Sequence, residues 1–239
     1  MAMEVSLQHE IDTDDDMLYL TTIRPANKKP IIVETLWHGI DYPNDSLVID
    51  WISKIKKIQE KKKQKNLILS LFADRKGQYK NSGFSYYDCK GQVSKAPFEL
   101  LQLCYDNHCL FYEFELYYPN KKYPLALWKC LSDNKTIVVG LGIEDVVKKL
   151  EKDYNIKISN WVDLRDKARE KAIFGEIANN CSVEKLAKKV LGDEWDVKKP
   201  ATMEWWNPEI EWFLSDDKVK FGSLDSFLAY RIGVELLKD

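Results

Sequence analysis

The sequence contains few of the side chains that bind transition metals. Its 239 residues include three histidines and five cysteines, and no two cysteines have the CxxC spacing of zinc sites. His9, His38 and His108 lie outside any recognisable catalytic motif, and His108, in a turn between two predicted strands, is expected to face solvent. The cysteines are expected to be reduced and to pack as small apolar side chains. They are Cys89, Cys104, Cys109, Cys130 and Cys181.

The chain also has no excess of basic residues and no long apolar run. Lysine and arginine number 36 against 38 acidic residues, for a net charge of -2. Proteins dedicated to nucleic acid usually show a basic excess, so any such site here must be a local patch. No apolar run approaches the roughly 20 residues that span a bilayer, and the first residues lack a signal-peptide pattern. We therefore expect no membrane association and a location in the cytoplasm or nucleus.

What is present suits one globular domain. The sequence is 45% hydrophobic, 12% aromatic and 31% charged, which is ordinary for a protein with a sizeable core. Residues 1–28 are polar, with an acidic cluster before a short apolar run, and are expected to form a tail. Residues 29–239 are expected to form the domain.

The hydrophobic pattern predicts strands and helices that together form an α/β fold. A nearly continuous apolar run at residues 67–72 is typical of a strand buried on both faces of a sheet. Helical spacing follows Asn44, and Ser182 and Ser215 are predicted to cap two later helices. Further strands are predicted at residues 31–33, 98–104, 109–114 and 136–141, and a helix at 144–154. This order predicts a mixed sheet of five to six strands flanked by helices.

Two clusters of residues have more than one interpretation, one basic and one aromatic. Lys61, Lys62, Lys63 and Lys65 follow the first predicted helix. They are either the solvated end of that helix or a patch that binds phosphate or RNA. The aromatic cluster of Trp205, Trp206 and Trp212 either stacks on bases, packs in the core or contacts a partner.

Several segments, in this order and spacing, resemble the Werner-syndrome-like 3′–5′ exonucleases. The resemblance covers most of the chain, from Ile31 to Leu237, and the stretch at residues 46–51 is similar to the plant members in particular. It implies an RNase H-like, or DnaQ-like, fold whose four acidic ligands, the DEDD set, hold two metal ions. The other matching stretches are residues 100–104, 108–111, 139–144, 149–150, 162–165 and 224–227.

The resemblance also implies that most of those ligands have been lost. Leu71 and Ala73 align with the Asp and Glu of the first core strand, Val146 with the third ligand, and only Asp225 is retained. The tyrosine that would orient the attacking water aligns with Phe221. Two other acids, Asp74 and Asp145, each lie one residue out of register and are the candidates for a shifted site. A metal pair about 3.5–4 Å apart needs several converging carboxylates.

Three hypotheses follow for the function. The first is a catalytically degenerate exonuclease-fold protein that binds nucleic acid, DNA or RNA, in the former substrate groove around Leu71, Ala73 and Asp225. The candidate contacts to nucleic acid or a partner are Lys61, Lys62, Lys63, Lys65, Trp205 and Trp206. The second is a protein-interaction or regulatory module that pairs with an active homologue or with a second copy of the chain. The third is an active nuclease with a shifted metal site. No cofactor is expected, and Mg²⁺ or Mn²⁺ only under the third hypothesis.

Overall fold

Strands dominate the first half of the chain and helices the second. The computed structural model describes residues 3–9, 18–38, 46–74, 98–114, 124–171, 174–200 and 214–238. The strands are β1 (Glu4–His9), β2 (Leu18–Arg24), β3 (Ile31–His38), β4 (Leu67–Asp74), β5 (Leu100–Tyr105), β6 (His108–Glu113), β7 (Thr136–Gly140) and β8 (Trp161–Asp163). The helices are α1 (Ser46–Lys61), α2 (Leu125–Ser132), α3 (Ile143–Tyr154), α4 (Leu164–Glu170), α5 (Val183–Leu191) and α6 (Asp216–Leu236).

These strands form one mixed sheet in the order β1-β2-β3-β6-β5-β4-β7-β8. The pairs β4–β7, β7–β8 and β3–β6 are parallel, and the other neighbouring strands are antiparallel. The long apolar run lies in β4, near the centre, where both faces of a strand are covered. The arrangement confirms the predicted α/β class with a mixed sheet flanked by helices.

The sheet has more strands than the five to six predicted, because the N-terminal segment contributes to it. Within residues 1–28, where a polar tail was expected, β1 and β2 pair with each other and extend the sheet beyond β3. Tyr19 and Ile23 of β2 are buried on its inner face. Thr21 lies between them on the same face and is also buried, so β2 is a core strand although its segment is polar overall.

Helices cover both faces of the sheet. The longest, α6, crosses one face, where Ser70 Oγ of β4 donates to the Ser226 carbonyl oxygen at 2.7 Å and the hydroxyls of Thr35 and Ser223 lie 2.5 Å apart. Glu34, next to Thr35, projects from the opposite face and pairs there with Lys54 of α1. This opposite face carries α1, α2 and α3.

The local helix signals agree with the structure where it describes them. Ser215 is the N-cap of α6, and its side chain accepts a hydrogen bond from the Lys218 backbone N–H at 3.1 Å. Ser182 is at the predicted N-cap position of α5, but its side chain accepts no capping hydrogen bond from the helix backbone, and Gly192 ends the helix with a φ of 112°. None of the helices that the described residues form is both long and apolar enough to cross a bilayer.

The expectation that His108 faces solvent is wrong. The residue begins β6 and is buried, with Nδ1 3.1 Å from Oε2 of Glu34. Burial, together with nearby Lys54, lowers the pKa of His108. The turn is short, so β6 already starts at this residue and brings it under α1. Four of the cysteines, Cys104, Cys109, Cys130 and Cys181, are free and buried, as expected for small apolar side chains.

Candidate functional site

The end of β4 meets the first turns of α6. Ser70 and Asp74 of β4 both contact this helix, Ser70 through the Ser226 carbonyl and Asp74 through Lys218 Nζ at 2.5 Å. Residues two apart in a strand project from the same face. Phe72, which lies between them, therefore also faces α6, whereas Leu71 and Ala73 project from the other face.

This geometry corrects the predicted ligand positions on β4. Leu71 and Ala73 were aligned with ligands that would lie beside Asp225, but Asp225 is on α6, which packs against the opposite face. The strand positions that face α6 are Phe72 and Asp74, each one residue further along the chain. Asp74 needs no bulge to reach this face. A continuous apolar run does not show which of its two alternating sets of side chains faces which helix layer.

Asp74 is held by two neighbours. Its Oδ2 accepts from Lys218 Nζ, and it also accepts a hydrogen bond from the Gln102 amide. Lys218 is a buried residue, and its side chain is 8% exposed. Gln102 fits beneath α6 because Gly222 has no side chain. A Cβ there would collide with Gln102 Oε1 and lie 2.9 Å from the Phe111 ring. The carboxylate at the end of β4 is therefore paired with a lysine and an amide.

Asp225 belongs to a second ion-paired group. Lys199 Nζ pairs with Asp225 Oδ1 and lies 2.5 Å from Glu184 Oε1 at the start of α5. The three side chains are mostly buried, with exposed fractions between 14% and 24%. One ammonium group thus neutralises carboxylates from two helices.

The buried position of this group changes how its acids titrate. Burial raises the pKa of Asp225 to about 6, against the opposing effect of Lys199. Burial also acts to raise the pKa of Glu184, but hydrogen bonds from Lys199 and Ser182 hold it below its ordinary value. Lys199 therefore favours the ionised form of both carboxylates.

The two groups lie next to each other along α6. Lys218 and Asp225 are seven residues apart, which places them on the same helix face at about 10 Å spacing. Lys218 is close enough to Asp225 to act on its titration. Lys218 thus pairs with Asp74, and Lys199 pairs with Asp225 and Glu184. We call these five residues the lysine–carboxylate site.

The remaining positions singled out by the resemblance do not add a ligand. Val146 is half-buried on α3 and packs against the core, and Asp145 before it is exposed. Phe221 is buried one helical turn before Asp225, with Lys220 Nζ 4.8 Å from its ring centre. An aromatic ring is therefore kept beside Asp225, and no acid from α3 joins it in the described contacts.

The described residues do not fit a divalent metal. Within the parts of the chain that the structure describes, no group of three or more His, Cys, Asp or Glu side chains is arranged to hold an ion. Mg²⁺ requires near-octahedral oxygen ligands. Here ammonium groups occupy the space beside Asp74, Asp225 and Glu184, and Phe72 contributes an apolar ring.

The basic cluster is remote from this site. Lys61 ends α1, and Lys62, Lys63 and Lys65 lie in the connection to β4, all exposed. They precede the first residue of β4, whereas Asp74 is its last, a separation of about 23 Å along an extended strand. The other predicted contacts, Trp205, Trp206 and Trp212, lie outside the described residues.

Sequence reasoning missed the residues that complete the site. Lys199, Lys218, Glu184 and Gln102 were not singled out. A signal existed for Lys218, because it lies seven residues before Asp225 on the same face of a predicted helix. No local pattern pairs Lys199 with Glu184 and Asp225, since these residues belong to different elements.

The comparisons with known proteins show the fold. No family model and no curated protein matches the sequence. Among solved structures, the EXD2 exonuclease domain soaked in Mn and GMP is 19% identical, with 85% of this chain and 89% of that chain covered and a TM-score of 0.42. Brucella melitensis NrnC is 12% identical, with 72% of each chain covered and a TM-score of 0.50. NrnC with bound Mg²⁺ is 10% identical, with the same coverage and a TM-score of 0.49. At these identities the likeness shows the fold alone, which agrees with the predicted RNase H-like α/β fold.

Proposed function

We propose that this chain is an exonuclease-fold protein that binds nucleic acid and does not hydrolyse it with metal ions. The observation that carries the proposal is the pairing of Asp74 with Lys218 and of Asp225 with Lys199. Two-metal hydrolysis requires carboxylates whose oxygens converge on two ions. In this site each of these carboxylates has a lysine as its counter-charge.

Electrostatics and shape both oppose metal binding at the lysine–carboxylate site. A divalent ion beside Asp225 would have to displace Lys199, whose ammonium also holds Glu184. The displaced lysine would remain in a largely enclosed position without its partners, which is strongly unfavourable. Phe72 on the same face offers no oxygen ligand. We therefore interpret the chain as a member of the Werner-like exonucleases, of plant type, with degenerate catalytic motifs.

Nucleic-acid binding is supported by the fold and by the exposed lysines that follow α1. An interaction module is the second candidate, favoured by exposed apolar side chains on the opposite face of the sheet. Ile32 of β3 is 50% exposed and Ile49 of α1 is 46% exposed. A nuclease built on Asp74, Asp145 and Asp225 has the least support, because two of these acids are paired with lysines and Asp145 is exposed on α3.

The test uses the full chain with 5′-labelled single- and double-stranded DNA and RNA. Each substrate is incubated with EDTA, Mg²⁺ or Mn²⁺, and both length and electrophoretic mobility are measured. We expect retarded mobility without shortening in all three conditions. Metal-dependent shortening from the 3′ end, lost in Asp225→Asn but kept in Asp217→Asn on the same helix, would overturn the proposal. Neither retardation nor shortening would favour the interaction module.

A second experiment examines the metal site directly. We expect 5 mM Mn²⁺, a concentration chosen to be on the order of the weakest protein cation sites, to leave the melting temperature of the wild-type chain unchanged. Phe72→Asp combined with Lys218→Gln adds one carboxylate and releases Asp74, so Mn²⁺ should raise the melting temperature of this variant. A Mn²⁺-dependent rise in the wild-type protein that is lost in Asp225→Asn would contradict the absence of a metal site.

A further inference from the structure

Three connections meet at one edge of the sheet. β4, β7 and β8 are parallel neighbours, so the segments that lead into them lie side by side. The Leu67 backbone N–H donates to the Lys135 carbonyl at 2.9 Å, which joins the segment before β4 to the segment before β7. The Val138 N–H donates to the Asn160 carbonyl at 2.9 Å, which joins β7 to the segment before β8. This edge is opposite to the one where β4 ends at Asp74.

The edge carries a concentration of positive charge. Residues 61–66, 133–135 and 155–160 contain six lysines and one acid, Asp133, in a chain whose net charge is -2. All six lysines are exposed. We call them the basic edge: Lys61, Lys62, Lys63, Lys65, Lys135 and Lys157.

Most of this charge is available to an external partner. Lys62 pairs with Asp106 of the β5–β6 turn at 2.8 Å. Lys61, Lys65, Lys135 and Lys157 form no ion pair with another described residue. A helix end explains a basic residue in the last turn of α1. It does not explain lysines that come from three separate connections to the same edge.

The lysine–carboxylate site, unlike the basic edge, has more negative than positive charge. Its lysines, Lys199 and Lys218, are 14% and 8% exposed and already neutralise the acids beside them. Three carboxylates against two ammonium groups leave an excess of negative charge there. A phosphate backbone would therefore be repelled from this site and attracted to the basic edge.

We propose that the basic edge is the surface that contacts nucleic acid. This inference rests on the proposed function and places the nucleic acid away from the lysine–carboxylate site. Adjacent strands are about 4.8 Å apart, so the edge presents ammonium groups over a width that several consecutive phosphates can contact. Lysine acts as a point charge without the planar geometry with which arginine recognises bases. Binding at the basic edge is therefore driven by phosphates and is insensitive to sequence.

The experiment compares two triple variants that remove the same charge. The edge variant is Lys61→Gln with Lys65→Gln and Lys135→Gln, and Lys63 is left in place because its φ is 53°. The control variant is Lys29→Gln with Lys185→Gln and Lys198→Gln, at exposed lysines elsewhere. Fluorescence anisotropy with labelled single-stranded RNA and DNA, in EDTA and over a salt series, gives affinity and its salt dependence. Circular dichroism and melting temperature establish that both variants are folded.

We expect the edge variant to bind at least tenfold more weakly at about 0.1 M salt, with the slope of log K against log salt reduced by about 2 to 3. The control variant should stay within about twofold of wild type, as peripheral charges are screened. Equal affinities of edge variant and wild type would overturn the inference while leaving the proposed function standing. If the wild-type chain shortens the nucleic acid when metal is present and the edge variant still binds more weakly, the proposed function alone is overturned. If the wild-type chain binds no nucleic acid, both the inference and the proposed function are overturned.

Discussion

At the scale of single residues, the candidate site is defined by two lysines that meet acids from other elements. Lys218 and Asp74 are separated by 144 positions in the chain, yet their side chains are 2.5 Å apart. Lys199 joins Glu184 and Asp225 in the same way. Removing one partner of such a pair leaves a charge without its counter-charge in a poorly solvated place, which costs more than the pair itself contributes.

Lys218→Met is expected to lower the free energy of unfolding by about 1–3 kcal/mol, at the lower part of what a buried pair costs. The reduction reflects the position of Asp74, whose side chain is 34% exposed and so keeps some contact with water. Urea denaturation measures the change. Lys220→Met is the control, because Lys220 pairs with the more exposed Asp217 three residues away on the same helix. Its expected loss is below about 0.5 kcal/mol, and equal losses would show that the Lys218 pair has no special weight.

Asp225 is expected to make stability depend on pH in a direction unusual for a carboxylate near lysine. Its pKa is about 6 in the folded chain against 3.8 without the fold, so between these values the folded state binds the proton more readily. Its contribution to stability is therefore largest below about pH 4, falls as the pH rises to about 6, and is constant above that. Urea unfolding of wild type and Asp225→Asn from pH 4 to 7 measures the difference between the two proteins. A difference that grows in favour of wild type across this range would contradict the raised pKa.

At the scale of elements, one aspartate joins two helices and two strands. Asp163 ends β8 and is the N-cap of α4, where its carboxylate accepts from the Arg165 backbone N–H at 2.9 Å. The other oxygen accepts from the N–H groups of Gly142 and Ile143, at 2.6 Å and 3.2 Å, where α3 begins after β7. One side chain thus satisfies the free N–H groups at the start of two helices.

Asp163→Ala is therefore expected to cost about 2–3 kcal/mol of unfolding free energy, more than the roughly 1 kcal/mol of a single cap. Thermal and urea denaturation measure the loss. Asp166→Ala serves as the control, because Asp166 is on the same helix but its side chain is exposed and pairs with Arg169. If the two variants lose the same amount, the carboxylate of Asp163 does not hold the α3 turn.

At the scale of the whole molecule, the N-terminal strands support the site as well as the sheet. The backbone N–H of Met3 donates to the Asp196 carbonyl at 2.9 Å, and Lys28 Nζ lies 2.5 Å from Glu194. Trp195 between these contacts is buried and lies near Phe227 of α6. The segment that carries Lys199 is thereby attached to the start of β1 and to the connection between β2 and β3. Charge is also distributed unevenly, with the basic edge at one end of β4 and the paired acids at the other.

Deletion of residues 1–28 is expected to destabilise the fold severely, whereas the loss of a tail would have no effect. It removes β1 and β2, exposes the edge of β3 and releases the segment before Lys199. Size-exclusion chromatography and melting temperature are the measurements, and we expect aggregation or a loss of the cooperative transition. Val5→Ser in β1 is a milder companion variant, expected to lower the melting temperature by a few degrees. A truncated chain that melts like the full one would restore the tail interpretation.

Local signals in the sequence were sufficient to predict the α/β class and most of the elements after residue 30. The buried strand β4, the predicted strands at β5, β6 and β7, and the caps of α5 and α6 follow from hydrophobic period, turn residues and Ser caps, which act within a few positions. The short strands β1 and β2 were missed, because they lie in a segment that is polar overall and their burial depends on pairing with β3 and packing under α6.

What the sequence by itself determined is therefore the α/β class and the order of most of the strands and helices after residue 30, because the hydrophobic pattern that predicts them is local. Only the tertiary structure decided that Phe72 and Asp74, and not Leu71 and Ala73, lie with Asp225. The reason is that a strand buried on both faces carries two alternating sets of side chains, and the packing of α6 selects between them. The tertiary structure alone also placed Lys218 and Lys199 against the remaining carboxylates, because an ion pair between distant elements leaves no spacing in the sequence.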